Sequence, residues 1–252
     1  MTVDEQQMSL VEHLTELRTR LIRALLGVAV GIGASLFYAP QIFTLIRKPI
    51  QPFLGKDGGL VFTGPMDSFL AHIKVGVLSG IILTCPFWLY QIWMFVSPGL
   101  YKNERKYAAA FISAGSLLFL AGVMFVYYFV YPTAFEYLLS FGSDLKPMIT
   151  IDAYLGFFVM TTLMFGIAFE LPLALVLLAM MGIIDAAFLR KQRRYAIVVL
   201  ALAAAILTPP DVISMSMLLV PLVLFYEASI WIIQIVVRKR EQQTSLVPHG
   251  EN

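Results

Sequence analysis

The residues best placed to do chemistry in this chain are carboxylates in apolar surroundings. Glu170 stands deep in a long apolar run, with Pro172 two residues on. A charged side chain at the centre of a bilayer costs about 2.5–3.5 kcal/mol on insertion scales, so such a residue usually has a function or a dedicated partner. Proline withholds one backbone donor and frees the carbonyl four residues earlier, here that of Ala168. A bend, a free acceptor and a carboxyl group therefore fall within one turn. That suits a polar site facing a bundle cavity, and equally a neutral acid bonded to a neighbouring helix. Glu227 follows Pro221 by six residues and lies nearer a basic cluster, where a structural contact or a snorkelling group serves as well. Glu170 and Glu227 together would suit a proton-coupled transporter of small molecules, which is the alternative reading of the chain.

Two further carboxylates sit outside the apolar runs. Glu16 lies in Glu12-His13-Leu14-Thr15-Glu16-Leu17-Arg18-Thr19-Arg20. There Leu10, Leu14, Leu17 and Leu21 share one helical face, and Glu16 can pair with Arg20 at i, i+4. Glu104 lies in Tyr101-Lys102-Asn103-Glu104-Arg105-Lys106. By residue type alone, both read as solvated charges in local ion pairs. A nucleophilic dyad would have to combine Ser113 or Ser116 with His72, and no GxSG or GxGD motif supports it. No phosphate-binding loop, metal-ligand cluster or dinucleotide motif occurs, so neither catalysis nor a cofactor is expected. The single cysteine, Cys85, excludes an internal disulfide.

The elements that must position these residues follow from composition. Of 252 residues, 59% are hydrophobic and 13% charged, against about 25% charged in soluble domains. The mean hydropathy is +0.81. These values exclude an ordinary soluble domain, a disordered chain and a nucleic-acid-binding module. A bilayer core of about 30 Å takes about 20 apolar residues in a helix. Six candidate spans appear, near 21–38, 75–96, 108–131, 154–181, 195–207 and 212–237. The expected fold is therefore an all-α polytopic membrane protein, one domain over 1–240, with a mobile tail at 241–252. The fifth span is short, and Pro209, Pro210 and Asp211 turn it directly into the sixth.

Orientation follows the positive-inside rule. Of the 18 basic residues, 13 flank one set of helix ends and five (Arg47, Lys48, Lys56, Lys74 and Lys146) flank the other. Both termini are thus expected in the cytoplasm. The outer loops, from Ala39 to about Lys74 and from Pro132 to Ala153, mix Pro and Gly with many apolar residues. This predicts short helices that cap the outer face.

Four stretches in order carry a family resemblance. They are His13-Leu14-Thr15-Glu16-Leu17-Arg18, the run from Tyr90 to Arg105 (including Phe95-Val96-Ser97-Pro98-Gly99-Leu100-Tyr101-Lys102-Asn103-Glu104), Phe169-Glu170-Leu171-Pro172, and Leu207-Thr208-Pro209-Pro210-Asp211. From about Leu10 to Val237 the chain resembles the TatC family, the multispanning receptor subunits of the twin-arginine protein translocase. The resemblance implies binding of twin-arginine signal peptides of folded cargo at the cytoplasmic face, through Glu16, Glu104, Arg18, Phe95 and Arg105. It also implies single-span TatA and TatB partners at the fifth and sixth spans, near Ala201, Ala203, Ala204 and Ala205. A homo-oligomeric complex in a bacterial inner membrane, driven by the proton-motive force, is implied too. Pro49, Pro172, Thr208, Asp211 and Glu170 match functionally sensitive family positions. Lys106 stands where family members often carry a second arginine, and Met215 where some carry glutamine.

Overall fold

A computed structural model describes residues 10–54, 59–97, 108–142, 147–208 and 211–245. Among them the fold is helical. The only β-type feature is an isolated parallel bridge joining Val61 to Thr150. Helix α1 (Leu10–Leu36) runs unbroken, so the amphipathic lead-in and the first span are one helix. Helix α2 (Ala39–Ile46) and a 3-10 turn (Gln51–Phe53) follow. Then come α3 (Asp67–Leu83), α4 (Cys85–Val96) and α5 (Ala108–Phe125). A π-helical turn at Val126–Val130 joins α5 to α6 (Tyr131–Ser140). The rest is α7 (Ile151–Ala168), α8 (Leu171–Met180), α9 (Ala186–Lys191), α10 (Arg193–Leu207) and α11 (Val212–Ser245).

Among the described residues, four helical stretches are long and apolar enough to cross a bilayer: Glu12–Leu36, Ala108–Ser140, Ile151–Met180 and Val212–Ile235. Helices α3 and α4 together make a fifth, bent by 55°. Pro86 occupies the first turn of α4 and breaks the ladder there. Side chains take up the acceptors at the break. Thr84 Oγ1 donates to the Gly80 carbonyl at 2.7 Å, and Trp88 Nε1 to that of Ile81 at 3.2 Å. Helix α10 has 15 residues, about 22 Å of rise, and is shorter than the hydrocarbon core. Helix α11 extends to Ser245, so residues 241–245 of the expected tail are helical.

The helices pack in a row. Helix α1 lies against α3 and α4. These meet α5 and α7, α8 meets α11, and α10 lies against α11 and α9 at the far edge. In lipid no hydrophobic drive separates helix from solvent, so close backbone approach supplies much of the contact energy. Glycines permit it here. A Cβ built on Gly80 would lie 2.6 Å from the Cα of Ile32, and one on Gly31 would lie 3.0 Å from the Gly80 carbonyl oxygen. At one end of the bundle α2 packs on α3 as a cap. Its last carbonyls, unpaired within the helix, accept tyrosine hydroxyls: Tyr127 bonds Leu45 at 2.9 Å and Tyr154 bonds Ile46.

Candidate functional site

The opposite end of the bundle holds the first turns of α1. Glu12, Thr15, Glu16, Thr19, Arg20 and Arg23 recur at intervals of three and four and line an open groove of about 370 Å³. The helical period itself builds this stripe. Glu16 is only 17% exposed although it lies on a surface helix. Its Oε1 accepts from Arg20 Nη2 at 3.4 Å, while its Oε2 is buried with no hydrogen-bond partner among the described residues. A charge-assisted N–H···O bond is about 2.7–2.9 Å long, so Glu16 is weakly held on one oxygen and unengaged on the other. One turn earlier on the same side, the His13 ring stacks on Phe95 at 4.6 Å between centroids, with 24° between planes. This contact ties α1 to the last turn of α4. The leucines of the amphipathic segment point elsewhere: Leu14, Leu17 and Leu21 are 63%, 41% and 55% exposed, as a lipid-facing stripe requires.

Glu170 lies at a break within the fourth span. Phe169 and Glu170 form a turn between α7 and α8, and Pro172 sits in the first turn of α8. The carboxyl does not cap α8. Among the described residues, both of its oxygens are buried without a hydrogen-bond partner. It packs toward α5, where a Cβ on Gly115 would approach Oε2 to 3.2 Å and Leu89 Cδ1 to 2.9 Å. Glycine at 115 therefore makes the room that the carboxyl occupies. Glu227 is different. Its Oε2 accepts from Arg193 Nη2 at 2.7 Å, and this pair joins the start of α10 to α11. Glu227 is thus paired with a basic residue, whereas Glu170 is not.

The dyad candidates each bond within their own helices. Ser113 and Ser116 donate to carbonyls of their own helix, at Ala109 and Ile112, and His72 Nδ1 contacts the Ser68 carbonyl at 2.7 Å. Among the described residues, no group of three His, Cys, Asp or Glu side chains gathers as a metal site.

A family model for the Sec-independent protein translocase protein TatC matches residues 12–221 of this chain. The chain belongs to the TatC family. A TatC from Desulforapulum autotrophicum is 38% identical over 231 residues, covering 91% of this chain and 86% of that protein. TatCy of Bacillus subtilis is 37% identical over 241 residues, covering 95% and 94%. A crystal structure of the twin arginine translocase receptor TatC aligns with a TM-score of 0.77 at 33% identity, covering 90% of this chain and all of that one. The chain is accordingly a multispanning component of a protein translocase.

The positions singled out by the resemblance are dispersed, with Glu170 and Pro172 at the span break just described. Phe95 is in the stack beside the groove. Arg18 is exposed and two residues past Glu16, about 200° around the helix, so the groove does not include it. Glu104 and Arg105 lie outside the described residues. At the cap end Pro49 is buried beside Ile50, which is 0% exposed. Thr208, 7% exposed, donates to the Ala204 carbonyl at 2.8 Å. Asp211 Oδ1 accepts from Ser214 N at 2.6 Å and starts α11, while its Oδ2 and Ser214 Oγ stay buried and unpaired. Ala204 is fully buried, so of the four alanines it is unavailable to a docking helix. Sequence reading missed the His13–Phe95 stack, which no local spacing signals, and the Arg193–Glu227 pair. The bend at Thr84 had a visible signal in Pro86.

Proposed function

We propose that this chain is the receptor subunit that binds twin-arginine signal peptides of folded proteins at the cytoplasmic face of a bacterial inner membrane. The observation that carries the reading is Glu16, a largely buried carboxylate with one oxygen unengaged, in a groove tied by the His13–Phe95 stack to the segment leading to Glu104. A guanidinium offers a planar fork of donors that meets both carboxylate oxygens at once, which a lysine ammonium cannot do. Charged hydrogen bonds of this kind contribute about 1.5–3 kcal/mol each. Glu104 supplies the second carboxylate, and Arg105 shapes the charge around it. Both termini lie in the cytoplasm, in keeping with the 13 basic residues that the sequence gathers in the segments on that side. The chain works as several copies with single-span TatA and TatB, which dock on the lipid-facing side of α10. There Val198, Val199, Leu202 and Ile206 are exposed. The proton-motive force supplies the energy.

Titrating a twin-arginine peptide and its twin-lysine counterpart into purified protein tests the reading. The arginine peptide binds at least about tenfold tighter. Glu16→Gln combined with Glu104→Gln removes that preference. Equal affinity for both peptides, unchanged in the double variant, would refute the assignment.

A further inference from the structure

The groove contains its own guanidinium. Arg20 reaches Glu16 from one turn along the same helix, at 3.4 Å, and the two side chains are 18% and 17% exposed. An incoming arginine needs the oxygen that Arg20 now contacts. The Arg20 contact is long and single, whereas the second oxygen is buried and unengaged. We propose that Arg20 is a resident competitor for Glu16, which a signal peptide must displace and which sets the affinity threshold for recognition. This inference rests on the reading of Glu16 as a signal-peptide carboxylate.

The chemistry of displacement favours the right ligand without closing the site. Arg20 satisfies Glu16 in part, so the buried carboxylate is never left wholly unpaired in the absence of peptide, which would be costly. A pair spaced i, i+4 on a helix is weak, and its 3.4 Å length makes it weaker, so a bidentate guanidinium prevails. A ligand limited to one contact gains less over Arg20 and binds more weakly. Arg23, the next basic residue on the stripe, adds positive potential at the same end of the groove. Arg23 itself offers displaced Arg20 no counter-ion. Apparent affinity is the intrinsic affinity reduced by the fraction of receptor with Glu16 open. Removal of Arg20 therefore tightens arginine and lysine peptides by the same factor.

Peptide binding to full-length protein in lipid nanodiscs, read by fluorescence anisotropy, tests this with four forms: wild type, Arg20→Gln, Glu16→Gln and the double variant. Arg20→Gln is expected to tighten the twin-arginine peptide about three- to tenfold, and the twin-lysine peptide equally. Glu16→Gln weakens binding, and adding Arg20→Gln to it brings no recovery, because the competitor acts only through that carboxylate. Two results overturn the inference and leave the receptor reading standing. One is a loss with Glu16→Gln but no gain with Arg20→Gln. The other is a gain of equal size in both backgrounds, which marks Arg20 as general repulsion. Unchanged binding in Glu16→Gln removes the receptor role of that residue and this inference with it.

Discussion

Burial of polar atoms in this chain divides into groups with partners and groups without. Arg193 and Glu227 satisfy each other at 2.7 Å but remain 47% and 38% exposed. Solvent screening limits such a pair to about 0–1 kcal/mol. Arg193→Gln is therefore expected to lower the melting temperature in detergent by no more than a few degrees, and a larger drop would mean that the pair organises α10 itself. Glu16 and Glu170 carry buried carboxylate oxygens without partners, and these are the positions where substitution should change function more than stability. Phe95→Ala removes a ring stack worth about 0.5–1.5 kcal/mol. It is expected to weaken signal-peptide binding about three- to tenfold in the anisotropy titration, with the melting temperature nearly unmoved. A Phe95→Tyr variant, which keeps the stack, retains affinity.

Helices here are shaped by where their regular bonding is interrupted and by how closely their backbones approach. The α3–α4 bend depends on Pro86 and on two side-chain donors, Thr84 and Trp88, that occupy the carbonyls around it. The α1–α3 contact depends on Gly31 and Gly80. Alanine favours an exposed helix interior over glycine by about 1 kcal/mol. At Gly80, however, the added methyl would meet backbone atoms of Ile32 at 2.6 Å, which cannot rotate away. Overpacking of this kind costs about 1–3 kcal/mol. Gly80→Ala is thus expected to lower the thermal stability of purified protein, whereas Gly33→Ala, with nothing within 4 Å, raises it or leaves it unchanged. The opposite ranking would show that the α1–α3 approach is not tight.

Across the whole molecule, one end carries the cap and the other the groove. The cap is fastened by Tyr127 and Tyr154 to the last carbonyls of α2. The Tyr154 bond is buried and the Tyr127 bond exposed, and a hydrogen bond contributes about 0.5–1.5 kcal/mol, so Tyr127→Phe with Tyr154→Phe is expected to raise hydrogen exchange across 39–54 while leaving α7 protected. Orientation is testable on the same scale. Cys85 is fully buried, so Met148→Cys, at a position 78% exposed, gives a single reactive thiol at the cap end. A membrane-impermeant maleimide added outside spheroplasts should label it. Labelling only after lysis would invert the proposed topology.

Much of this was legible in the sequence because it depends on local pattern. Apolar runs long enough for a bilayer must become helices, since lipid offers no partners for an open backbone. Charged residues on such runs are costly wherever they fall, which singled out Glu170 and Glu227. The spacing of Glu16 and Arg20 announced their contact, because residues four apart on a helix are neighbours in any fold. Tertiary packing decided the rest. Whether a costly carboxylate is paired depends on a residue far along the chain, as Arg193 is for Glu227 and as none is for Glu170. The direction of the α1 stripe was likewise fixed only when His13 met Phe95, 82 positions away. Period sets which residues share a face, but only the neighbouring helices determine what that face meets.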